Sequence, residues 1–228
     1  MKTALGPNKK TARIAGFLYL IVAVFSIFSF VYMDLKIYVP DDAATTACNI
    51  LSSELLFRLS FISSIIYQIA FLFLVCALYK LFNTVDKDQA ILMVIFVVVS
   101  IPIALLNMLN QFAPLLLLNG SVYLSAFNSA QLQALSMVFI EMYNYGIFIT
   151  QIFWGLWLFP LGKLVFKSGF SPKWLGVLLM ISCFGYIIES LVMFLFPGYE
   201  VITYPGLMIA TVAEFSLIFW LLFKGSKL

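Results

Sequence analysis

The chain contains no histidine, and this absence removes several common kinds of site. Histidine is the most frequent side-chain ligand of transition metals and the usual general base at neutral pH. The three cysteines lie far apart with no CxxC spacing, so neither a zinc site nor a disulfide framework is expected. An HExxH motif, a Ser–His or Cys–His pair and a GxxxxGK[ST] phosphate loop are missing too. We therefore expect no metal and no cofactor, and an enzyme is disfavoured.

Charged residues are scarce as well. Only 10% of the 228 residues are charged and 64% are hydrophobic, against roughly 25% and 45–50% in soluble domains. A water-soluble fold of this size could not hide so much apolar surface, so the solvent must be lipid. The net charge of +3 is too small to suggest a nucleic-acid partner. The composition predicts a polytopic integral membrane protein, whose main partner is the lipid bilayer.

Six stretches reach the length of about 20 apolar residues that a helix needs to cross the hydrocarbon. They cover residues 12–33, 55–82, 90–118, 134–162, 174–196 and 204–223. We predict an all-α fold in which residues 1–228 form one domain, a polytopic transmembrane bundle of six helices. Asp41 and Asp42 are good helix N-caps, which predicts a further short helix near 41–53 on the outer surface.

The distribution of Lys and Arg predicts the orientation, because cytoplasmic loops are enriched in these residues. With the N-terminus inside, only Lys36 and Arg58 of the thirteen basic residues fall on the outer side. The predicted cytoplasmic set is Lys2, Lys9, Lys10, Arg13, Lys80, Lys87, Lys163, Lys167, Lys173, Lys224 and Lys227. Both termini are therefore predicted to be cytoplasmic.

Polar residues inside spans suggest function by default, and their depth sorts them into two tiers. At 1.5 Å per residue, Glu141 lies about 33 Å from Lys163, near the outer headgroups, and Arg58 reaches a similar level. This outer tier contains Arg58, Asn107, Asn110, Gln111, Glu141 and the slightly deeper Glu189. One interpretation is structural, with Arg58 pairing with Glu54, Glu141 or Glu189. The other is a vestibule that binds a polar or cationic ligand.

The deeper tier consists of Gln68, Gln151 and Glu214. Both glutamines lie about 18 Å from the nearest inner lysine, and Glu214 lies about 15 Å from Lys224, close to the midplane. The structural interpretation is interhelical hydrogen bonding with Glu214 protonated. The functional interpretation makes Glu214 a protonatable or cation-binding group on a translocation path.

Helical phase places these polar residues in stripes. One stripe, on the fourth span, occupies an arc of about 80° and contains Glu141, Asn144, Gln151 and Gly155. Another, on the third span, contains Asn107, Asn110 and Gln111 at i, i+3 and i+4. Polar stripes of this kind normally point into a helix bundle and away from lipid.

Two adjacent segments, FWGLWLFPLGKLVFKSGFSPKWLGVLL (153–179) and FGYIIES (184–190), resemble a prokaryotic membrane protein family. The family is catalogued as domain-of-unknown-function family 4386, and TARIAGFLYLI (11–21) and the second span are similar to it too. The resemblance implies a six-helix integral membrane protein of bacteria or archaea. It implies no activity, cofactor or substrate, so no functional residue is transferred from it.

The sequence favours a non-enzymatic, multi-pass protein of a prokaryotic cytoplasmic (plasma) membrane. It would bind or transport a small polar or cationic ligand through a bundle cavity. The alternative is a non-catalytic membrane scaffold or regulatory partner that uses the basic cytoplasmic loop 163–173. A homo-oligomer or a membrane partner stays open in both cases. The candidate ligand-binding or transport residues are Glu214, Glu189, Gln151, Gln68, Asn144, Glu141, Arg58, Asn107, Asn110 and Gln111.

Overall fold

The computed structural model describes residues 9–224, so the predictions for Lys2, Lys227 and the two termini lie outside the described residues. Between residues 9 and 224 the chain contains no β-strand. The α-helices of this part are α1 (Lys9–Tyr32), α2 (Ala43–Ser52), α3 (Glu54–Phe82), α4 (Lys87–Leu118), α5 (Ser129–Leu156), α6 (Leu158–Lys167), α7 (Lys173–Leu195) and α8 (Tyr204–Phe219). Single π-helical turns, Met33–Ile37 and Trp220–Lys224, continue α1 and α8.

Six segments of the described chain are long and apolar enough to cross a bilayer. They are Lys9–Ile37, Glu54–Phe82, Lys87–Leu118, Ser129–Lys167, Lys173–Leu195 and Glu200–Lys224. The all-α fold class with six membrane-spanning segments is thereby confirmed, and the protein is a multi-pass membrane protein. The orientation of the termini stays a prediction.

The fourth span is divided between α5 and α6 at Trp157. Pro160 has no N–H, so the carbonyl of Leu156 loses its helical donor. Backbone hydrogen bonds persist on both sides, from Trp157 N to Phe153 O at 3.1 Å and from Leu161 N to Trp157 O at 3.2 Å. The span therefore continues past the local irregularity instead of ending there.

The short helix α2 begins directly after Asp42. The Asp42 carboxylate accepts hydrogen bonds from the Thr45 backbone N–H at 2.9 Å and from the Thr45 hydroxyl at 2.6 Å. These bonds, the hydroxyl first, hold the pKa of Asp42 below its ordinary value. Thr46 holds the segment before α2 in place. Its hydroxyl accepts from the Val39 backbone N–H at 3.0 Å and donates to the Val39 carbonyl at 3.2 Å.

The chain divides into two compact units. In the described part, unit 1 comprises residues 9–21, 69–102 and 148–224, and unit 2 comprises residues 22–68 and 103–147. Most spans therefore contribute to both units, whereas α6, α7 and α8 belong wholly to unit 1.

Unit 1 is held together by close helix contacts. A methyl group added to Gly162 or to Gly176 would come within 2.6 Å of the other glycine's carbonyl oxygen, so α6 and α7 touch through their backbones. Small residues permit such approach between membrane helices. Stacked and tilted rings add to the packing, with centroids 5.5 Å apart for Phe82 and Phe170 and 5.8 Å apart for Phe170 and Trp220.

Unit 2 has an apolar core built from both of its chain segments. Its buried members are Met33, Ile37, Ile50, Phe57, Leu115 and Ile140. Asn49 on α2 also donates to the Ile37 carbonyl at 3.2 Å, which ties α2 to the π-helical turn after α1.

Every span also exposes large apolar side chains. Examples, one from each span in chain order, are Phe17, Phe73, Leu106, Ile149, Phe184 and Met208. Apolar area of this extent is stable only against hydrocarbon, so the surroundings of the spans are the lipid bilayer.

Candidate functional site

The Glu214 carboxylate on α8 lies between two tyrosine hydroxyls. The Tyr19 hydroxyl, on α1, donates to Glu214 Oε2 at 2.6 Å. The Tyr186 hydroxyl, on α7, donates to Glu214 Oε1 at 2.8 Å. Tyr19 is buried, while Tyr186 and Glu214 are partly buried. Three spans of unit 1 thus converge on one carboxylate near the predicted midplane.

A second carboxylate is connected to the first through Tyr186. Gln151, which is buried, donates through Nε2 to Glu189 Oε2 and makes a longer bond of 3.4 Å to the Tyr186 carbonyl. Tyr186 therefore contacts Glu214 with its hydroxyl and Gln151 with its backbone. We call these five residues, Tyr19, Gln151, Tyr186, Glu189 and Glu214, the carboxylate network.

Glycines fix the helices that carry this network. A methyl group on Gly185, next to Tyr186, would come within 2.9 Å of the Gly206 carbonyl oxygen, so α7 and α8 are in backbone contact there. A methyl group on Gly16 would come within 2.9 Å of the Leu222 backbone nitrogen, which places α1 against the end of the sixth span. These close contacts therefore hold α1, α7 and the sixth span, which carry Tyr19, Tyr186 and Glu214, against one another.

Aromatic rings enclose the Tyr19 side of the network. The Trp157 ring packs edge-on against Tyr19, with centroids 5.8 Å apart, and against Phe71, with centroids 5.0 Å apart. Trp157 itself is buried. Since the phenol oxygen of Tyr19 is held by Glu214 and its ring by Trp157, its orientation is determined at both ends.

The carboxylate network contains no cationic side chain. Within residues 9–224, the hydrogen-bond partners of Glu214 and Glu189 are phenols and an amide, all neutral. The ion pairs of the described chain lie elsewhere, at Arg58–Glu54 and Lys167–Asp86. A carboxylate removed from water is costly unless its charge is balanced. The two carboxylates therefore have no cationic side chain among the described residues to balance a negative charge.

Three other predicted site residues, the amides of α4, form hydrogen bonds inside unit 2. Asn107 donates to the Tyr143 carbonyl on α5 at 2.8 Å and accepts from Asn110 at 3.0 Å. Gln111, which is fully buried, donates to the Ser60 hydroxyl on α3 at 3.3 Å. These bonds join helices and involve no ionisable group.

The remaining predicted residues are not brought together. Arg58 pairs with Glu54 one turn earlier, at 2.7 Å, so of its three suggested partners the structure selects the local one. Glu141 is exposed and Asn144 partly buried, and neither makes a side-chain hydrogen bond within the described residues. Gln68 is buried in unit 2, and neither of its amide atoms has a hydrogen-bond partner there.

Sequence reasoning missed Tyr19 and Tyr186. Tyrosines in membrane spans usually serve as interfacial anchors or packing residues, so neither was singled out. A signal was nevertheless present, because both lie inside segments that carried the family resemblance, TARIAGFLYLI and FGYIIES. Tyr186 also precedes Glu189 by three residues, which puts the two side chains on one helix face.

Loop 163–173, which is predicted to be cytoplasmic and was considered as a docking surface, makes contacts within the protein. Lys167 forms an ion pair with Asp86 at 2.7 Å. Lys163 lies over the Phe159 ring, 4.6 Å from its centroid, and Lys173 lies over Phe166 at 5.6 Å. Gly169, with φ +70°, supplies the left-handed residue of the turn between α6 and α7.

Comparison with known proteins places the chain in one family. Residues 14–225 match the sequence profile of the family described as a domain of unknown function, DUF4386. A protein of Archaeoglobus fulgidus, described as an uncharacterized protein, is 33% identical over 150 residues, which cover 64% of this chain and 87% of that relative. No solved structure matches the chain. With a match that extends over nearly all six spans, the chain belongs to the DUF4386 family.

Proposed function

We propose that this protein binds a small cation at Glu214 and Glu189, inside its membrane-spanning helices, and moves that cation across the bilayer. The observation that carries the proposal is the pairing of two carboxylates with neutral partners only. Structural carboxylates in membrane spans normally pair with a Lys, an Arg or a backbone group. Here a bound cation supplies the missing positive charge.

The two carboxylates differ in how they would receive a cation. Both oxygens of Glu214 accept phenol hydroxyls. Glu189 uses only Oε2, toward Gln151, and its Oε1 makes no hydrogen bond within the described residues. Glu189 thus offers an open oxygen, while Glu214 offers a charge held between two reorientable hydroxyls.

Tyr186 couples the two positions. Its hydroxyl bonds Glu214 and its carbonyl bonds Gln151, which in turn holds Glu189. A change in charge at one carboxylate alters the hydrogen bonds available to the other through this residue. This coupling supports transfer of a cation between carboxylates on two neighbouring spans.

The location proposed for this activity is the cytoplasmic membrane of a prokaryote with both termini inside. The excess of Lys and Arg on the predicted inner side supports that orientation. The match to an archaeal relative supports a prokaryotic membrane. The scaffold alternative is less favoured, because the lysines of loop 163–173 contact Asp86 and aromatic rings of the protein itself.

Cation flux into proteoliposomes tests the proposal. The purified protein is reconstituted, and proton, Na⁺, K⁺ and ammonium gradients are followed separately in wild type and Glu214→Gln. We expect flux of one of these cations in the wild type and a decrease of about tenfold or more in the variant, equivalent to about 1.4 kcal/mol in the transport barrier.

Glu200→Gln is the matched control. Glu200 belongs to the same sixth span, but it accepts from the Gly198 N–H at 2.9 Å outside the carboxylate network, and glutamine can accept the same bond. The cation flux of the Glu200→Gln variant should equal that of wild type. No flux above protein-free liposomes, or equal flux in wild type and Glu214→Gln, would contradict the proposal.

A further inference from the structure

The surroundings of Glu214 restrict which cation it can hold. Each of its two oxygens already accepts a phenol O–H, at 2.6 and 2.8 Å. Hard metal cations take about six oxygen ligands, whereas the hydrogen bonds at this site assemble four oxygens, two from the carboxylate and two from phenols. Within residues 9–224, no three acidic or cysteine side chains are grouped as a metal site would require.

The helices around Glu214 also leave little room for expansion. Gly206 lies eight residues before Glu214 and is in backbone contact with Gly185 of α7. Leu222 lies eight residues after Glu214 and is in contact with Gly16 of α1. Helix α7, which carries Tyr186, is thus held against the sixth span two turns before Glu214. Helix α1, which carries Tyr19, is held against it two turns after Glu214. A metal ion with its coordination shell would need these contacts to open, whereas a proton adds no volume.

We infer that the cation held at Glu214 is a proton and that Tyr19 and Tyr186 act as its two switchable hydrogen-bond partners. This assignment concerns the same carboxylate as the proposed function and rests on it. Hydronium transfers its proton to one carboxylate oxygen, so one O–H bond forms, one O–H bond of hydronium breaks and water leaves. The charge of Glu214 changes from −1 to zero.

Two phenols let this exchange occur without loss of hydrogen bonds. In the ionised state both hydroxyls donate to the carboxylate, and the oxygen–oxygen distances of 2.6 and 2.8 Å are short enough for these bonds. In the protonated state the acid O–H donates to one phenol oxygen while the other phenol continues to donate to the carbonyl oxygen. Two hydrogen bonds join the three residues in either state, and in the protonated state the O–H of the accepting phenol turns away from Glu214.

The groups that face Glu214 from neighbouring elements are mostly neutral. From α1 it is faced by Tyr19, and from α7 by Tyr186 with Glu189 beyond it. The other ionisable groups of its own span and of the turn before it lie ten or more residues away along the chain: Glu200, Tyr204 and Lys224. Protonation of Glu214 therefore responds to the two phenols and to the state of Glu189, since no cationic side chain of residues 9–224 is bonded to it.

Infrared difference spectroscopy tests the assignment. Protein in lipid nanodiscs is titrated with acid, and the carbonyl stretch of a protonated carboxylic acid is followed in H₂O and D₂O. We expect a pH-dependent acid band that is lost in Glu214→Gln and retained in Glu200→Gln. Raising Na⁺ or K⁺ should not remove it.

The tyrosines give a second measurement that does not depend on whether Glu214→Gln folds. Tyr19→Phe and Tyr186→Phe keep the carboxyl group but each removes one hydrogen-bond partner, so each should move the acid band to a different frequency. A merely packing role for the two rings predicts an unchanged band, because phenylalanine retains the ring.

The outcomes separate this assignment from the proposed function. If no acid band depends on Glu214 or on the tyrosines, the proton assignment is overturned. If Na⁺, K⁺ or ammonium flux nevertheless falls in Glu214→Gln, the site still binds a cation and only the identity of that cation was wrong. If neither the band nor any flux depends on Glu214, both proposals fail together.

Discussion

The two units of the molecule differ in the kinds of polar group that form their buried hydrogen bonds. Unit 2 pairs neutral groups, as between the Ser29 and Ser64 hydroxyls at 2.7 Å and between Asn107 and the Tyr143 carbonyl at 2.8 Å. Unit 1 instead places two carboxylates, Glu189 and Glu214, among phenols and an amide.

This difference separates polar groups that join helices from polar groups that can change state. A hydroxyl or amide pair has the same charge at every pH. These hydrogen bonds of unit 2 therefore hold helices in position without a change of charge. Hydrogen bonds of this kind contribute about 0.6 kcal/mol on average in a membrane protein. A carboxylate among neutral partners has two charge states, and each state has its own stability. The buried carboxylates of unit 1 can therefore change charge, whereas these hydroxyl and amide pairs of unit 2 cannot.

The largest effect should come from the glycines. Gly176→Ala in unit 1 places a methyl group 2.6 Å from the Gly162 carbonyl oxygen, an atom that cannot move without shifting α6. In Gly146→Ala of unit 2, the three atoms nearest to the added methyl group all belong to the flexible side chain of Asn107. We expect Gly176→Ala to lower the free energy of unfolding by about 3 kcal/mol and Gly146→Ala by about 1 kcal/mol, the value of the displaced hydrogen bond.

Thermal unfolding in detergent, followed by circular dichroism, measures both variants. Gly169→Asn is the control, because an added Cβ there has no atom within 4 Å beyond its chain neighbours, and asparagine tolerates the positive φ. Equal losses for Gly176→Ala and Gly146→Ala would show that backbone contact does not set unit 1 apart.

A smaller effect should distinguish the buried glutamines. Gln151→Leu removes the donor to Glu189 and leaves a carboxylate oxygen unpaired, which should cost about 1–3 kcal/mol. Gln68→Leu in unit 2 removes an amide that has no hydrogen bond among the described residues, so it should be neutral or stabilising. The melting temperatures of the two variants should therefore move in different directions or by clearly different amounts.

The effect of Gln111→Leu on the melting temperature should lie between those of Gln151→Leu and Gln68→Leu. The Gln111 Nε2 donates to Ser60 while its Oε1 has no partner in the described part of the chain. A ranking in which Gln68→Leu is the most damaging of the three would contradict the distinction between the units.

The smallest effects should come from the exposed ion pairs, one in each unit. Lys167 and then the Gln89 backbone N–H hold the pKa of Asp86 below its ordinary value. The ionised Asp86 carboxylate therefore contributes to stability above about pH 4, and this contribution is lost as the pH falls through the lowered pKa of Asp86. Asp86→Asn and Glu54→Gln should each lower the melting temperature only slightly, and added salt should erase both decreases.

Melting temperatures of these variants at neutral and acid pH, with and without salt, provide the measurement. Asp88→Asn, a neighbour of Asp86 that forms no ion pair in the described chain, is the control. If Asp86→Asn lowered the melting temperature as much as Gln151→Leu, surface charge, and not the buried carboxylates, would dominate the electrostatics of unit 1.

The fold class was predictable because hydropathy alone decides which segments enter lipid. All six spans were found from runs of apolar residues, and the structure has six segments of the required length and composition. The break at Trp157 was not foreseen, since residues 134–162 were interpreted as one helix. Pro160 was the visible cause, but whether a proline bends or interrupts a helix depends on neighbours that a single sequence does not locate.

The candidate site was predictable only in part. Counting residues from Lys224 singled out Glu214 as the deepest carboxylate, and that distance needs no knowledge of packing. The partners of Glu214 could not be derived in this way, because the Tyr19 hydroxyl comes from a helix 195 residues away in the chain. Arg58 illustrates the same limit, since three carboxylates were within reach on depth alone and the structure selects Glu54.

The contact between Tyr19 and Glu214 also has a consequence for how the protein is made. Synthesis delivers Tyr19 with the first described span and Glu214 with the last, so the phenol resides in the membrane through the insertion of every intervening segment. A chain that stops after α7 has no carboxylate for that hydroxyl and no Leu222 to pack on Gly16. The hydrogen bond between Tyr19 and Glu214 therefore forms only after the last of the six described spans has been synthesised.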